Sequence, residues 1–403
     1  MLDPVPFTAT DDVRDALAGL GQTEDIKFSP DQRRLAIAGF QRNRILLLDV
    51  ELRGVSGSLH VHLPACRALV APSLQLPHGV SFLDDQTLAV ANRGGDVVLY
   101  SLAAAPGADE EVTLDVLRTL PAGPEHAVAT PGSVHLRPLG LDLYELLVCN
   151  NYANTVTRHV VDCAGGYRVV ASAVLLRRDL EVPDGVTVDP TGRWLAVSNH
   201  NNHALYLYEN RDRLDCTAAP DGQARGAVFP HAARFTPDGR YLFLADAGSP
   251  YVWVYGQGEH GWSGAQQPLH RLRVMTDETF ERGKFGRGKD SGTKGVDCDR
   301  DQRVLVTTSE LQPLLFFDLG RVLGELDRSR REPTGAAASA GEAAGAPAAD
   351  EREKLLAEWA RMDRLSRRDL NAQLDHLYRS DSWRMTTPLR WLGQRLRKLK
   401  LRA

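Results

Sequence analysis

The stretch Pro183-Asp-Gly-Val-Thr-Val-Asp-Pro-Thr-Gly-Arg-Trp-Leu-Ala-Val-Ser-Asn199 decides the fold. Val186 and Val188 alternate with polar neighbours, the period of a half-buried strand. Asp189-Pro-Thr-Gly192 has turn chemistry, since Pro fixes φ and Gly accepts a positive one. Leu195 to Val197 then reads as a second strand, and Ala204-Leu-Tyr-Leu-Tyr208 as a third.

The same unit recurs. Pro230-His-Ala-Ala-Arg-Phe-Thr-Pro-Asp-Gly-Arg-Tyr-Leu-Phe-Leu-Ala-Asp246 is its clearest copy, and Pro77 to Asn92 and Asp25 to Ala38 follow it closely. A looser copy joins Pro131–Leu136 to Leu146–Asn150, and the last runs from Lys294 to Thr307. Aligned on one position, the copies start at Glu24, His78, Gly132, Asp184, His231 and Lys294, at spacings of 54, 54, 52, 47 and 63 residues. Several strands per unit at such a period predict an all-β fold, a six-bladed β-propeller. Seven blades remain an alternative if residues 257–293 hide a degenerate one. That region shows one good strand, Pro268 to Met275, and otherwise reads as a long loop.

The Pro-(His/Asp)-Gly…Asp-Gly-Arg…Leu-x-Val-x-Asn pattern, over residues 24–320, resembles the lactonase-like, YVTN/NHL-type and SMP-30-like propellers. It is specific for architecture and weak for activity, because such propellers include hydrolases, binding modules and scaffolds.

Composition narrows the classes. A net charge of −4 gives no pull toward nucleic acid. No apolar run approaches a membrane span, and Met1-Leu-Asp-Pro-Val-Pro has neither the basic nor the apolar region of a Sec signal. Cys66, Cys149, Cys163, Cys216 and Cys298 are scattered without CxxC spacing, as expected of reduced cytosolic thiols. The expected location is cytoplasmic.

Residues 1–334 are assigned to the propeller. Asp11 to Ala18 reads as a capped helix, and residues 5–10 as a strand that closes the ring, because the last repeat shows only three strands. Residues 335–350, rich in Ala and Gly, read as a flexible linker. In residues 351–380, Leu355, Trp359 and Met362, then Leu370, Leu374 and Leu377, mark an amphipathic or coiled-coil helix. Residues 381–403 read as a basic amphipathic helix: Thr387 caps it, Pro388 takes its first position, and Leu389, Leu392, Leu396 and Leu399 share a face. Such a helix suits an anionic membrane surface, which would make the protein peripheral at the inner face of the plasma membrane.

Tyr378-Arg-Ser-Asp-Ser-Trp-Arg-Met-Thr-Thr-Pro-Leu-Arg390 resembles the Ser-x-Ser-Trp-Arg-x-Thr-x-Pro-Leu-Arg segment that follows a charged helix in bacterial polysaccharide-biosynthesis proteins, chiefly glycosyltransferases. The resemblance implies a setting, cell-surface polysaccharide assembly, with Trp383, Arg384, Pro388, Arg390 and Trp391 contacting a membrane or partner enzyme.

Within a blade the start of the first strand and the end of the second share one face of the ring. One channel mouth is therefore expected to gather Glu24, His78, Gly132, Asp184, His231 and Lys294 with Gly39, Asn92, Asn150, Asn199, Asp246 and Thr308, the carboxylate of Asp246 just outside. Carboxylates and imidazoles there could ligate a divalent ion, calcium, zinc or manganese. In SMP-30-like hydrolases one metal sits at this mouth on carboxylate and Asn side chains. The resemblance places Asp184 as a ligand and Glu24 and Asn150 as looser matches. The bland alternative is that Asp, Asn and Gly simply make turns. Arg282, Lys284, Arg287 and Lys289, with Lys294 near them among glycines, are a candidate anion-binding loop for a sugar phosphate, although no Walker A spacing is present. His200 and His203 have short metal-like spacing in a loop, and no nucleophile elbow supports a serine triad.

Two functions follow. The favoured one is a non-catalytic propeller, tethered by its tail, that binds a glycan, sugar phosphate or polysaccharide-assembly enzyme. The other is a metal-dependent lactonase or related hydrolase. The first is preferred because the mouth shows no clear ligand quartet.

Overall fold

Six antiparallel β-sheets surround one axis in a computed structural model that describes residues 3–103, 111–209, 214–287 and 290–331. Their innermost strands are Thr23–Phe28, Pro77–Asp84, Pro131–Gly140, Pro183–Val188, Pro230–Phe235 and Gly295–Cys298. Each packs on the next, and the last returns to the first, which closes the ring. From the axis outward the first blade continues through Arg34–Gly39, Arg44–Asp49 and Cys66–Val70; the next four blades repeat this order, and the last stops at its third strand. Two outer edges gain a parallel strand: Glu111–Thr113 beside Cys66–Val70, and Gly264–Gln266 beside Gly222–Arg225. Covered edges offer no template for aggregation.

A seventh sheet has three strands, Phe7–Ala9, His60–Leu63 and Glu51–Arg53. It lies beyond the last blade, whose outermost strand Leu315–Asp318 is bridged by Val5 to Phe316. The N-terminus therefore does meet the last blade, by this bridge and by side-chain packing such as that of the Phe7 ring on Phe316, and not as its fourth strand. Phe7–Ala9 pairs in parallel with His60–Leu63. The helix Asp11–Gly19 starts where expected, with Thr10 Oγ1 accepting the Val13 N–H at 3.4 Å.

The core lies between blades. Ala36, Ala38, Ile45 and Leu47 of the first blade pack on Val80, Phe82, Leu88 and Val90 of the second. Alternation thus points both faces of every strand into an interface, so the inner strands read as nearly continuous apolar runs.

The Pro-x-Gly motif has a geometric cause. A Cβ on Gly79 would stand 2.6 Å from Ser133 Cα, and one on Gly295 2.8 Å from Ile26 N. One on Gly185 would collide with His231 O. In each case the glycine lets one inner strand lie against the backbone of the next.

The region 257–293 corrects the expectation of a long loop. It holds the strands Gly264–Gln266 and Pro268–Arg273 and then a helix, Asp277–Arg287. Thr276 Oγ1 accepts the Thr279 N–H at 3.1 Å, and Asp277 and Glu278 occupy the first turn, where the helix dipole favours acids. Gly283, read as a loop residue, is a packing residue: its Cβ would sit 2.7 Å from Ser291 Cβ. A further helix, Leu319–Arg331, follows the last strand, and the sequence reading did not anticipate it. The predicted linker and tail helices (335–403) lie outside the described residues.

Replacing Gly79 with Ala should lower the free energy of unfolding by ~2–3 kcal/mol, the cost of overpacking a rigid contact. Gly19→Ala, which meets nothing within 4 Å, is the control. Urea unfolding of the two variants checks this, and equal midpoints would contradict the close-approach account.

Candidate functional site

Five of the six inner strands slip register near their start: between Thr23 and Ile26, Pro77 and Gly79, Pro131 and Ser133, Pro183 and Gly185, and Pro230 and Ala233. A bulge re-aims the side chain it carries. The residues inside these slips include Glu24, His78, Gly132, Asp184 and His231, and all but Gly132 meet at the axis. Lys294 precedes the sixth strand and joins them. Glu24, His78, Asp184, His231 and Lys294 are all buried.

Glu24 Oε2 lies 3.3 Å from His78 Nε2, 3.3 Å from His231 Nε2 and 3.5 Å from Lys294 Nζ. His231 Nε2 is also 3.2 Å from Asp184 Oδ2, and His78 Nε2 is 4.0 Å from Asp184 Oδ1. The two imidazoles stack with centroids 5.2 Å apart. Gly132 contributes its carbonyl, which accepts from His78 Nδ1 at 2.6 Å. Its missing side chain makes room for Asn151, whose Nδ2 donates to Asp184 Oδ1 at 2.6 Å and to Pro183 O at 2.9 Å.

Loop residues complete the cluster. Arg93 donates to Asp184 Oδ1 at 3.1 Å and Asn151 Oδ1 at 3.2 Å, its guanidinium near the rings of Phe40 and Tyr152. His200, stacked on Phe229, stands 3.6 Å from both Asp184 Oδ2 and Asp290 Oδ1. Sequence reasoning missed Arg93, Asn151 and Asp290 because loop residues carry no repeat register. The glycine at one of six equivalent positions was the only signal for Asn151. His200 and His203 do not act as a pair, since His203 Nδ1 bonds Val228 O.

The residues at the second-strand ends make different contacts. Asn92 Oδ1 accepts Gln75 N–H at 3.0 Å, Asn150 Oδ1 accepts Ala129 N–H at 2.8 Å, and Asn199 Oδ1 accepts Glu181 N–H at 3.1 Å. Asp246 accepts from Val228 N, Phe229 N, Gly248 N, Ser249 Oγ and Trp253 Nε1. Thr308 Oγ1 meets Thr23 Oγ1 and Pro313 O. These groups tie blade-connecting loops to the sheet, which is turn chemistry. Asn150, expected beside Glu24 and Asp184 as a ligand, spends its Nδ2 on Thr155 and Thr157 as well. In the anion loop Arg282 is exposed, and Lys284 pairs with Glu281 at 2.7 Å on the new helix. The side chains of Arg287 and Lys289 lie outside the described residues.

Electrostatics sort the cluster by charge. Burial and then the Arg93 charge push the His78 imidazolium down to about 3, so the ring is neutral. Burial would raise the carboxyls of Glu24 and Asp184, but neighbouring charge overcomes it. Lys294 leads in holding Glu24 well below the usual range, and the two imidazoles with Arg93 hold Asp184 down. Burial disfavours the Lys294 ammonium, yet Glu24, Asp290 and Asp184 raise it.

A chemical consequence follows. Since a carbonyl only accepts, His78 Nδ1 carries the proton donated to Gly132 O, and neutral His78 presents a bare Nε2 to Glu24 Oε2. Two buried acceptors face one another with no hydrogen bond between them, and the Lys294 ammonium stands 3.5 Å from the same Glu24 oxygen. A cation between them resolves this. Ligands ~2.0–2.1 Å from a tetrahedral ion stand about 3.3 Å apart. The Glu24–His78, Glu24–His231 and His231–Asp184 separations of 3.3, 3.3 and 3.2 Å match that edge, while His78 Nε2 and Asp184 Oδ1 stand 4.0 Å apart. Glu24, His78 and His231 place a donor atom each within 4.8 Å of one another. The residues therefore fit a divalent ion. Two imidazole nitrogens favour zinc or manganese over calcium, which prefers oxygen alone. The sequence reading already had these carboxylates and imidazoles as possible ligands; of its narrower set of Glu24, Asn150 and Asp184, Asn150 is bonded elsewhere and His78 and His231 stand beside Glu24 instead.

No known family profile matches the chain, and no curated protein does. Solved structures resemble it at low identity. A protein of unknown function from Desulfotomaculum acetoxidans is 14% identical, with a TM-score of 0.48 over 74% of this chain and 83% of that one. A presumed gluconolactonase is 14% identical, with a TM-score of 0.47 over 74% and 89%. A presumed 6-phosphogluconolactonase from Bacteroides uniformis is 14% identical, with a TM-score of 0.43 over 62% and 70%. Likeness at this level carries no activity over to this chain. No helix among the described residues is long and apolar enough to cross a membrane.

The buried imidazoles set an acid limit on the fold. His78 and His135 are pushed down to about 3, and His159 to about 4, in each case first by burial. Between those values and the ordinary 6.5 the unfolded chain binds more protons, so stability falls as pH falls. The depressed carboxyls add to the loss at lower pH, below their ordinary values. Melting temperatures should drop steadily from neutral pH toward pH 4, and His159→Gln should flatten the curve. A flat wild-type profile across that window would refute the assignment.

Proposed function

We propose that the protein is a metal-dependent hydrolase, with one zinc-like or manganese-like ion held by Glu24, His78 and His231 and with Asp184 completing or flanking the set. The observation that supports it is the bare Nε2 of His78 facing Oε2 of Glu24 at 3.3 Å with no hydrogen bond between them, beside His231 Nε2 and at the axis of the channel. The substrate class that fits is a small lactone or ester. When bound, the ion supplies Lewis acidity toward a carbonyl and lowers the pKa of a coordinated water.

The chain's own groups have separate tasks. The Gly132 carbonyl fixes the tautomer of His78, as second-shell acceptors do for ligating histidines. Asn151 and Arg93 hold Asp184 Oδ1, which leaves Oδ2 toward His231 and His200. His200, between Asp184 and the more exposed Asp290, is placed to carry a proton between the cluster and solvent. Phe40 and Tyr152 flank Arg93 and give the mouth an apolar wall beside a cation, suited to the ring of a small substrate.

The favoured sequence reading is a tethered binding protein, preferred for want of a clear ligand quartet at the mouth, and its polysaccharide-assembly setting rests on residues 351–403. These lie outside the described structure, and the axial site offers nothing in its favour. That tail is proposed as an attachment to a membrane or partner enzyme, separate from the chemistry.

Elemental analysis of the purified protein should find close to one equivalent of zinc or manganese, taken up on addition if lost. Glu24→Gln and His231→Ala should lose it while keeping their circular dichroism. Turnover of aryl esters or simple lactones should fall at least ~100-fold in the same variants, since removing a ligand costs more than removing a supporting group. A folded wild type that neither contains nor takes up metal would overturn the proposal. Truncation after residue 350 should leave metal binding intact.

A further inference from the structure

Three residues further along each inner strand lies a second set of equivalent positions: Lys27, Ser81, His135, Thr187, Arg234 and Asp297. Their sequence neighbours Ile26 and Phe28, Val80 and Phe82, and Val134 and Leu136 belong to the interblade cores. Alternation turns the second set the other way, toward the next blade and the axis. Part of the set stitches the ring together: Asp297 Oδ2 accepts Phe28 N–H at 2.8 Å, and Ser81 Oγ accepts Leu136 N–H at 3.1 Å.

The rest has a different character. Lys27, His135 and Arg234 come from the first, third and fifth blades, so they are spaced alternately around the axis. All three are only partly buried. Thr187, from the fourth blade, is 1% exposed, and its hydroxyl finds no partner among the described residues. Lys27 Nζ is 2.8 Å from Asp25 Oδ1, and Arg234 Nε is 2.7 Å from Asp297 Oδ1. Each of these carboxylates is shared with a backbone N–H, of Val80 or of Phe28. Nearby Arg137 and Arg158 share the single carboxylate of Glu145. Four cations thus stand against three carboxylates. The potential at this level is positive: burial first, then Arg234, Lys27 and Arg137, push the His135 imidazolium down to about 3.

We propose that this second ring is an oxyanion site, in which Lys27, Arg234 and His135 with the hydroxyls of Ser81 and Thr187 bind a phosphate-like or carboxylate group. Alternate blades place three donors around the axis, which suits the three free oxygens of a phosphoryl group. Three residues with one bulge separate this ring from the Glu24 cluster by roughly 7–10 Å. The site therefore stands apart from the metal cluster and does not depend on it.

Inorganic phosphate is the probe, followed by calorimetry and by phosphorus NMR linewidth on the full chain. Saturable binding is expected, weakened about tenfold in Thr187→Val and more in Lys27→Met, because each removes a donor to a charged ligand. Thr187→Val is close to isosteric and removes an unpaired buried hydroxyl, so it should fold at least as well as wild type. Glu24→Gln should bind phosphate as wild type does. Absence of binding, equal affinity in wild type, Lys27→Met and Thr187→Val, or loss of binding in Glu24→Gln would each overturn the proposal. The last result would place the anion at the metal cluster instead.

Discussion

The close approach of six inner strands around one axis is the constraint on which the rest depends. Where Gly79, Gly185 and Gly295 lie on the backbone of the following blade, no side chain could be accommodated. The residue just before each glycine is carried into the axis, by a bulge at His78 and Asp184 and directly at Lys294. The same motif thus sets the blade spacing and aims the site. It also ties the two together, since any change that moves one inner strand moves a donor atom of the cluster.

Gathering charge in a buried place is unfavourable unless the charges answer one another. Here two carboxylates sit at the axis with Lys294 and Arg93, while His78 stays neutral. A purely structural network would be expected to pair its donors and acceptors. This one leaves Glu24 Oε2, His78 Nε2 and both imidazole nitrogens of His231 outside any hydrogen bond of good geometry. The buried polar groups at the second-strand ends of the same ring are well served. Asp246 takes five donors, and Asn92 and Asn150 are each bonded through both oxygen and nitrogen. The contrast within one fold points to the axial cluster as the place where polar satisfaction yields to function.

Repetition made much of this legible from sequence. The hairpin at Pro183–Asn199 and its echoes fixed the blades, and alignment on one position picked Glu24, His78, Asp184, His231 and Lys294, which the fold brings together. The second set of positions, at the ends of the second strands, misled because Asn and Asp serve turns and ligands with the same atoms. Only hydrogen-bond partners tell the uses apart, and those of Asn92, Asn150 and Asn199 are loop N–H groups. Arg93, Asn151 and Asp290 stand outside the repeat register. The helix Asp277–Arg287 was hidden by its glycines, which suggest a loop by propensity, although Gly283 answers a close contact with Ser291.

The two polar rings of the channel also differ in a way the repeat alone would not produce. Six copies of one motif give six equivalent positions at each level, and a chain under no demand beyond folding could fill them alike. Instead one level collects carboxylates and imidazoles at Glu24, Asp184, His78 and His231. The next collects cations at Lys27 and Arg234 around His135. Within each level the choice differs from blade to blade: Gly132 opens space for Asn151 where its neighbours carry acids or bases, and Ser81 and Thr187 separate the basic positions. The blade scaffold is nearly symmetric, and the asymmetry is confined to side chains that reach the axis. Carboxylates and imidazoles at one ring and cations at the next offer unlike partners to the two ends of a polar molecule that enters the channel.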